Sequence, residues 1–281
     1  MTYNKLLLEG QKKLKERGLD QSLAKTFLME SASLTANSFY SSLSESPSLK
    51  VIKKYNKYLN SYISKNKPSQ YLLKKAYFYN LEFIVNKHTL IPRPETEGII
   101  ELLKSHLNEK ENLNILDVGT GSGVISVTLS KLFPSNNYFA VDKSLKALKI
   151  AKKNNRKHNT NVKMFKSDLF NKVNNKLDIV VANLPYVSTT EELDNYVLKE
   201  PKTALFAGID GVDLYDNFFK QVFKYVNFNY LIIIEHGYLQ KELLKEIIKK
   251  YNDKTIIETF KDLNGKDRYT IVRGLNDEKF S

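Results

Sequence analysis

"LDVGTGSGV", residues 116–124, decides the fold class. Its apolar start reads as the end of a strand, and Gly119, Gly121 and Gly123 then turn the chain into a helix, "VISVTLSKLF", that Pro134 stops. Glycine suits this place because a backbone without Cβ turns sharply and lets a ligand approach the N–H groups of the helix N-terminus. A dinucleotide fingerprint runs G-x-G-x-x-G, whereas here Thr120 and Ser122 separate the glycines as G-x-G-x-G. The third glycine comes one residue early, which argues against NAD.

Outward from this loop the pattern alternates strand and helix. "NILDVG" leads into it, and "NYFAVD" follows the helix. A second helix capped by Ser144 precedes "VKMFKS", and "DIVVAN", "YLIIIE", "TIIETF" and "DRYTIVRG" supply further strands. Strands separated by helices predict a mostly parallel sheet covered on both faces. Asp117 precedes the loop, Asp142 ends the second strand 19 residues beyond Gly123, and Asp168 follows the third in "KSDLF". Singly, each reads as an N-cap or turn residue. Together they mark the strand C-termini, where open α/β sheets bind ligands: Asp142 suits the two hydroxyls of a ribose, and Asp168 an exocyclic amine.

The fourth strand ends in "VVANLPYVS", residues 180–188. Asn-x-Pro by itself merely terminates a strand. At a crevice edge it has a chemical use. A planar nitrogen, in an amide or a base amine, has a delocalised lone pair and is a poor nucleophile. The side-chain oxygen of Asn183 and the carbonyl of Leu184 accept its two protons, and the ring of Tyr186, beyond Pro185, stacks on its face. This motif specifies a planar amine, so adenine in nucleic acid remains open at this point. His88, His106, His158 and His236 show no ligand-like spacing and read as surface or satisfied core positions, and no metal site is expected.

The 281 residues suffice for two cores, and 42% apolar with 27% charged residues is a globular composition. No apolar run approaches the roughly 18–20 residues of a membrane span. The start "MTYNKLLLEGQKK" lacks the apolar region of a signal peptide, and there is no cysteine. A cytoplasmic protein without membrane association is expected.

The formal charge is +13, carried by 39 lysines and five arginines against 31 acids. Drift toward lysine accounts for much of it, yet residues 1–80 hold 14 cations against 5 acids, an excess of +9 that suits an acidic partner or a nucleic acid. Those residues read as short helices: "YNKLLLEGQKKLKERG" ends on Gly18, "DQSLAKTFLMESASL" starts at a candidate N-cap, Asp20, and "LKVIKKYNKYLNSYISKN" follows the Ser-rich 41–48. Val51, Tyr55, Tyr58, Leu59 and Tyr62 share one face of the last, which is a core stripe rather than a base-stacking surface. "AYFYNLEFIVNKHTLIPRPETEG" predicts a hairpin and then an extended path forced by two prolines.

The glycine loop with its three aspartates resembles the S-adenosylmethionine-binding half of class I methyltransferases over residues 113–273. That resemblance implies an α/β, Rossmann-like, mostly parallel seven-stranded sheet with helices on both faces, preceded by a small helical domain and a β-hairpin linker. It puts the methionine end of the cofactor at Asp117 or the adjoining loop (Gly119, Thr120, Gly121, Ser122, Gly123), the ribose at Asp142 and the adenine at Asp168 and Leu169, with Asn183 alongside. Three further segments, "SQYLLKKAYFYNLEFIVNKHTLIPRPETEGII" (69–100), "EPKTALFAGIDGVDLYDNF" (200–218) and "DLNGKDRYTIVRG" (262–274), together with the loop and "NLPY", are similar to the HemK/PrmC family. The domains implied are helical substrate recognition at 1–75, hairpin and linker at 76–94, and methyltransferase at 95–281.

Membership would make the substrate the glutamine of the Gly-Gly-Gln motif of peptide chain release factors, methylated on its N5 side-chain amide nitrogen by a monomer with no nucleic acid as substrate. A ribosomal-protein glutamine methyltransferase and a nucleic-acid adenine N6-methyltransferase are the alternatives. Thr96 and Glu97 line the methionine end on one reading; on the other, Glu95 and Glu97 simply favour a helix N-terminus. "EPKTAL" and "GIDG" are expected at the substrate slot, with Gly208 and Gly211 either in tight turns or as ordinary loop glycines. Two departures stand out: Leu184 replaces the family's second proline where only the backbone carbonyl is needed, and Lys74 replaces a glycine.

Overall fold

The computed structural model describes residues 1–107 and 112–274; the end of the expected methyltransferase domain, 275–281, lies outside the described residues. The chain divides into two compact units, one of Met1–Lys74 with Asp194–Lys199 and one of Lys75–Leu193 with Glu200–Ser281.

The first unit is helical: α1 (Tyr3–Lys15), α2 (Ser22–Ala32), α3 (Ala36–Ser41), α4 (Leu49–Lys65) and α5 (Ser69–Leu73). Thr2, Thr35 and Ser48 cap α1, α3 and α4 through their side-chain oxygens, which satisfies helix N–H groups that lack an internal partner. Gly18 lies beyond the end of α1 in the left-handed conformation, and the Asp20 carboxylate accepts from Ser22 N at 2.9 Å, one residue before the cap position of α2. The stripe on α4 is core: Tyr55 and Leu59 are buried with Leu14, Phe27 and Phe39, and Val51, Tyr58 and Tyr62 pack against them. Tyr196 stacks on Tyr62 at 4.7 Å and donates its hydroxyl to the Tyr62 carbonyl, so a segment distant in sequence completes this unit.

The second unit opens with the expected hairpin, β1 (Lys75–Phe78) and β2 (Leu81–Ile84), turned by Tyr79 and Asn80, both at positive φ as a two-residue hairpin loop requires. Then follow α6 (Glu97–Lys104), β3 (Asn114–Val118), α7 (Val124–Leu132), β4 (Asn137–Asp142), α8 (Leu145–Lys157), β5 (Val162–Lys166), β6 (Leu177–Ala182), α9 (Asp213–Val222), β7 (Val226–Glu235), α10 (Lys241–Tyr251), β8 (Thr255–Lys261) and β9 (Asp267–Gly274). The seven strands β3–β9 form one sheet in the order β5-β4-β3-β6-β7-β9-β8, parallel except that β9 runs antiparallel to both neighbours.

Alternation along the strands splits the core in two. Ile115, Ile179, Val181, Leu231 and Ile233 bury one face with α6, α7 and α8; Leu116, Val118, Val180, Ile232 and Ile234 bury the other with α9 and α10. Each such side chain contributes on the order of 1.5–3 kcal/mol by leaving water. A shift of one residue would exchange the faces, so the register is tightly specified. In that register Val118 pairs Val141 and Ala182, Ala182 pairs Ile234, and Asp142 pairs Lys166. Gly119, Asp142, Ser167, Asn183 and Glu235 therefore sit along the same C-terminal edge.

Candidate active site

A crevice opens along this edge. Gly119, Thr120, Gly121 and Ser122 line it from the loop after β3, Asp142 from β4, Asp168 and Leu169 from the turn after β5, and Asn183, Leu184 and Pro185 from the segment after β6. Asp117, Gly123 and Tyr186, which the sequence also points to, are not among the lining residues.

The reason lies in what each one does. Asp117 is almost fully buried behind the loop: its Oδ2 accepts from the Thr120 hydroxyl at 2.5 Å and from Ser126 N at 3.3 Å, and its Oδ1 has no partner among the described residues. Burial raises its pKa to about 6. Gly123 serves packing. A Cβ there would stand 3.2 Å from the Ala151 Cβ on α8, so its lack of a side chain lets α7 and α8 approach. The Tyr186 hydroxyl donates to Glu235 Oε1 at 3.1 Å, and burial drives its pKa well up.

Asp142 both faces the crevice and holds the loop, accepting from Gly121 N (3.0 Å) and Ser144 N (2.7 Å). Burial raises its pKa as well. Asp168 is exposed, and Leu169 beside it has a φ of 45°, which is strained for a branched residue. Asn154 on α8, buried, donates to Ser122 O and Ile84 O and accepts from Ile84 N, tying the loop to the hairpin. Carboxylates after successive strands, with a buried carboxylate oxygen behind the loop that has no partner among the described residues, make a set of acceptors that fits a nucleoside carrying a cationic tail.

The NLPY segment is held by a buried hydrogen-bond cluster. Asn183 Nδ2 donates to Thr96 Oγ1 at 3.0 Å and to Glu235 Oε2 at 2.9 Å. The backbone N–H of Leu184 donates to the Tyr215 hydroxyl at 3.2 Å, and that hydroxyl donates to the Glu235 carbonyl. Leu184 is more than a carbonyl in place of proline, since its side chain is buried and packs on Gly119. Thr96 thus belongs to the site, whereas Glu97 accepts from Tyr79 N and stands in the first turn of α6, the cap-like alternative.

"EPKTAL" and "IPRPE" meet through Glu200, buried, whose Oε1 lies 2.5 Å from Arg93 Nη2 and whose Oε2 accepts from Ile91 N at 2.8 Å. Arg93, Pro201 and Thr203 line the crevice beside Asn183. Gly208 and Gly211 both have positive φ; a Cβ at Gly211 would collide with the Tyr186 carbonyl, so that turn needs glycine. His236 is buried and bonded to Gly237 O and Thr270 Oγ1, and no cluster of metal-binding side chains occurs among the described residues.

Sequence reasoning missed Glu235, Tyr215 and Asn154, and it reached Glu200 only as part of "EPKTAL". One signal was available for Glu235: a lone acid closing the apolar run "YLIIIE" at the same strand edge as Asn183.

Comparison with known proteins agrees with this geometry. Residues 98–207 match the family model described as "Methyltransferase small domain". The chain is 36% identical over 213 residues to the release factor glutamine methyltransferase of Streptococcus pneumoniae, covering 75% of this chain and 76% of that one. It is 34% identical over 265 residues to that of Bacillus subtilis, covering 91% and 92%. Among solved structures, the hMettl16 catalytic domain bound to a MAT2A 3'UTR hairpin superposes with a TM-score of 0.57 at 14% identity, covering 82% of this chain and 81% of that one, a likeness of fold. With about a third of its residues shared over three quarters or more of the length of such relatives, the chain belongs to the release factor glutamine methyltransferase family.

Proposed function

We propose that this enzyme methylates the N5 side-chain amide nitrogen of the glutamine in the Gly-Gly-Gln motif of peptide chain release factors, with S-adenosylmethionine as donor. The observation that carries the reading is the presence of Asn183 and Leu184 in the same crevice as Gly119–Ser122, Asp142 and Asp168. The bound cofactor supplies an electrophilic methyl group on a sulfonium. Asp142 would accept from its ribose hydroxyls, Asp168 and Leu169 would flank its adenine, and the glycine loop, held from behind by Asp117, would receive its cationic end.

Asn183 Oδ1 and the Leu184 carbonyl accept the two N–H groups of the substrate amide and hold its nitrogen in line. As the N–C bond forms, the S–CH3 bond of the sulfonium would break and leave a neutral thioether; the alkylated nitrogen is acidic and passes its proton to water, so a dedicated base is not required. The helical residues 1–75 grip the body of the factor, and their positive charge suits an acidic one.

Labelled S-adenosylmethionine, offered with release factors, ribosomal proteins and nucleic acid side by side, tests the proposal. Label is expected in the release factors; label in nucleic acid or a ribosomal protein instead would overturn it.

A further inference from the structure

Under the proposed reaction, on which this inference rests, Asn183 must show the substrate its oxygen rather than its NH2 group. An amide side chain has the same shape in either orientation, so something must choose between them. We propose that Glu235 is the positioning residue that fixes the polarity of Asn183, and so makes the crevice select an N–H donor as methyl acceptor.

Burial raises the pKa of Glu235, while the donors around it and the nearby Arg268 charge favour the ionised form, which has only acceptors to offer. Oε2 of Glu235 receives Asn183 Nδ2, and Oε1 receives the Tyr186 hydroxyl. Rotating the Asn183 amide by half a turn would set its oxygen against Oε2, two acceptors face to face in a site from which water is excluded. Thr96 does not relax this constraint. Its hydroxyl can donate or accept and so fits either orientation, which leaves the choice to the carboxylate. The orientation of Asn183 follows from the carboxylate, and Asn183 Oδ1 is left for the crevice. The backbone of Glu235 acts on the same segment through Tyr215, so this one residue of β7 holds Asn183, Leu184 and Tyr186.

Glutamine at 235 keeps the shape of the side chain but adds a donor, and both orientations of Asn183 then become available. Glu235→Gln is expected to lower kcat for release factor methylation about 100-fold, the usual cost of a misplaced reacting group, with S-adenosylmethionine Kd by calorimetry within about twofold of the parent. In an Asn183→Ala background, single-turnover labelling should show no further loss from Glu235→Gln, because the residue it acts through is gone. Thr96→Val, which leaves the buried carboxylate in place, should lower kcat about tenfold, the worth of one hydrogen bond. Unchanged turnover in both variants, or an equal loss from Glu235→Gln with and without Asn183, would overturn the inference while leaving the substrate reading intact. A parent enzyme that labels nucleic acid instead of the factor would overturn the substrate reading itself.

Discussion

Leu184 rests against Gly119. A Cβ built at Gly119 would come within 3.0 Å of Leu184 Cδ2, so the loop after β3 and the acceptor segment after β6 are fitted to each other, and side chain packs on bare backbone. The two motifs are one surface with two chemical halves.

Gly119→Ala therefore has two costs. With φ at 77°, alanine is strained by about 1–2 kcal/mol, and its methyl group pushes Leu184. Gly265→Ala is the control, with φ at 75° and nothing within 4 Å of the added carbon. Both variants should lose about 1–2 kcal/mol in urea denaturation. Only Gly119→Ala should also weaken cofactor binding and slow turnover, each about tenfold or more, as a displaced reacting group does.

Asp117 makes stability depend on pH. Its folded pKa of about 6 exceeds the ordinary 3.8, so between about pH 4 and 6 the folded chain keeps a proton that the unfolded chain has released. Stability from this group is present below that window and lost as pH rises through it. The amide of an Asp117→Asn variant does not titrate. Stability of that variant relative to the parent should rise by up to about 3 kcal/mol from pH 4 to pH 7 and stay level above. Denaturation curves that differ by a constant at all pH values would contradict this.

Lys74, exposed, ends α5 at φ 60° and ψ 26°, a conformation that glycine adopts without strain. Lys74→Gly should stabilise the protein by about 0.5–1 kcal/mol, the relief of strain less the added freedom of the unfolded chain. A lower denaturation midpoint for the glycine variant would show that the lysine side chain contributes a contact that outweighs its backbone.

The charge excess in residues 1–80 predicts salt dependence. Raising salt from about 50 to 300 mM shortens the range of exposed charges to a few ångströms and should raise KM for release factor several-fold with little change in kcat. A KM insensitive to salt would assign the charge to composition alone.

How much of this was visible in the sequence depended on distance along the chain. The G-x-G-x-G turn, the strand and helix alternation and the aromatic and β-branched hairpin segment are local patterns, and β3 to β9 lie where they indicate. Helix α3 was not expected, because its "ANSFYS" is polar and short. The sequence points to Asp117 or the adjoining loop without choosing between them, since a strand-end aspartate looks the same whether it points into a crevice or under a loop. Glu235 is 52 residues from Asn183, and only the pairing of β6 with β7 brings them together. Tyr196 is legible as part of the helical unit only once Tyr62 is seen beneath it.

The most direct test of the central claim is fragment mass mapping of a release factor after incubation with S-adenosylmethionine and either the parent enzyme or Asn183→Ala. The parent should place one methyl group on the side-chain amide nitrogen of the Gly-Gly-Gln glutamine. The variant should bind the cofactor with nearly the parent's affinity yet turn over slower by about 1,000-fold or more, as expected for loss of a contact made with the acceptor. A methyl group found elsewhere, or equal turnover by the two proteins, would contradict the account.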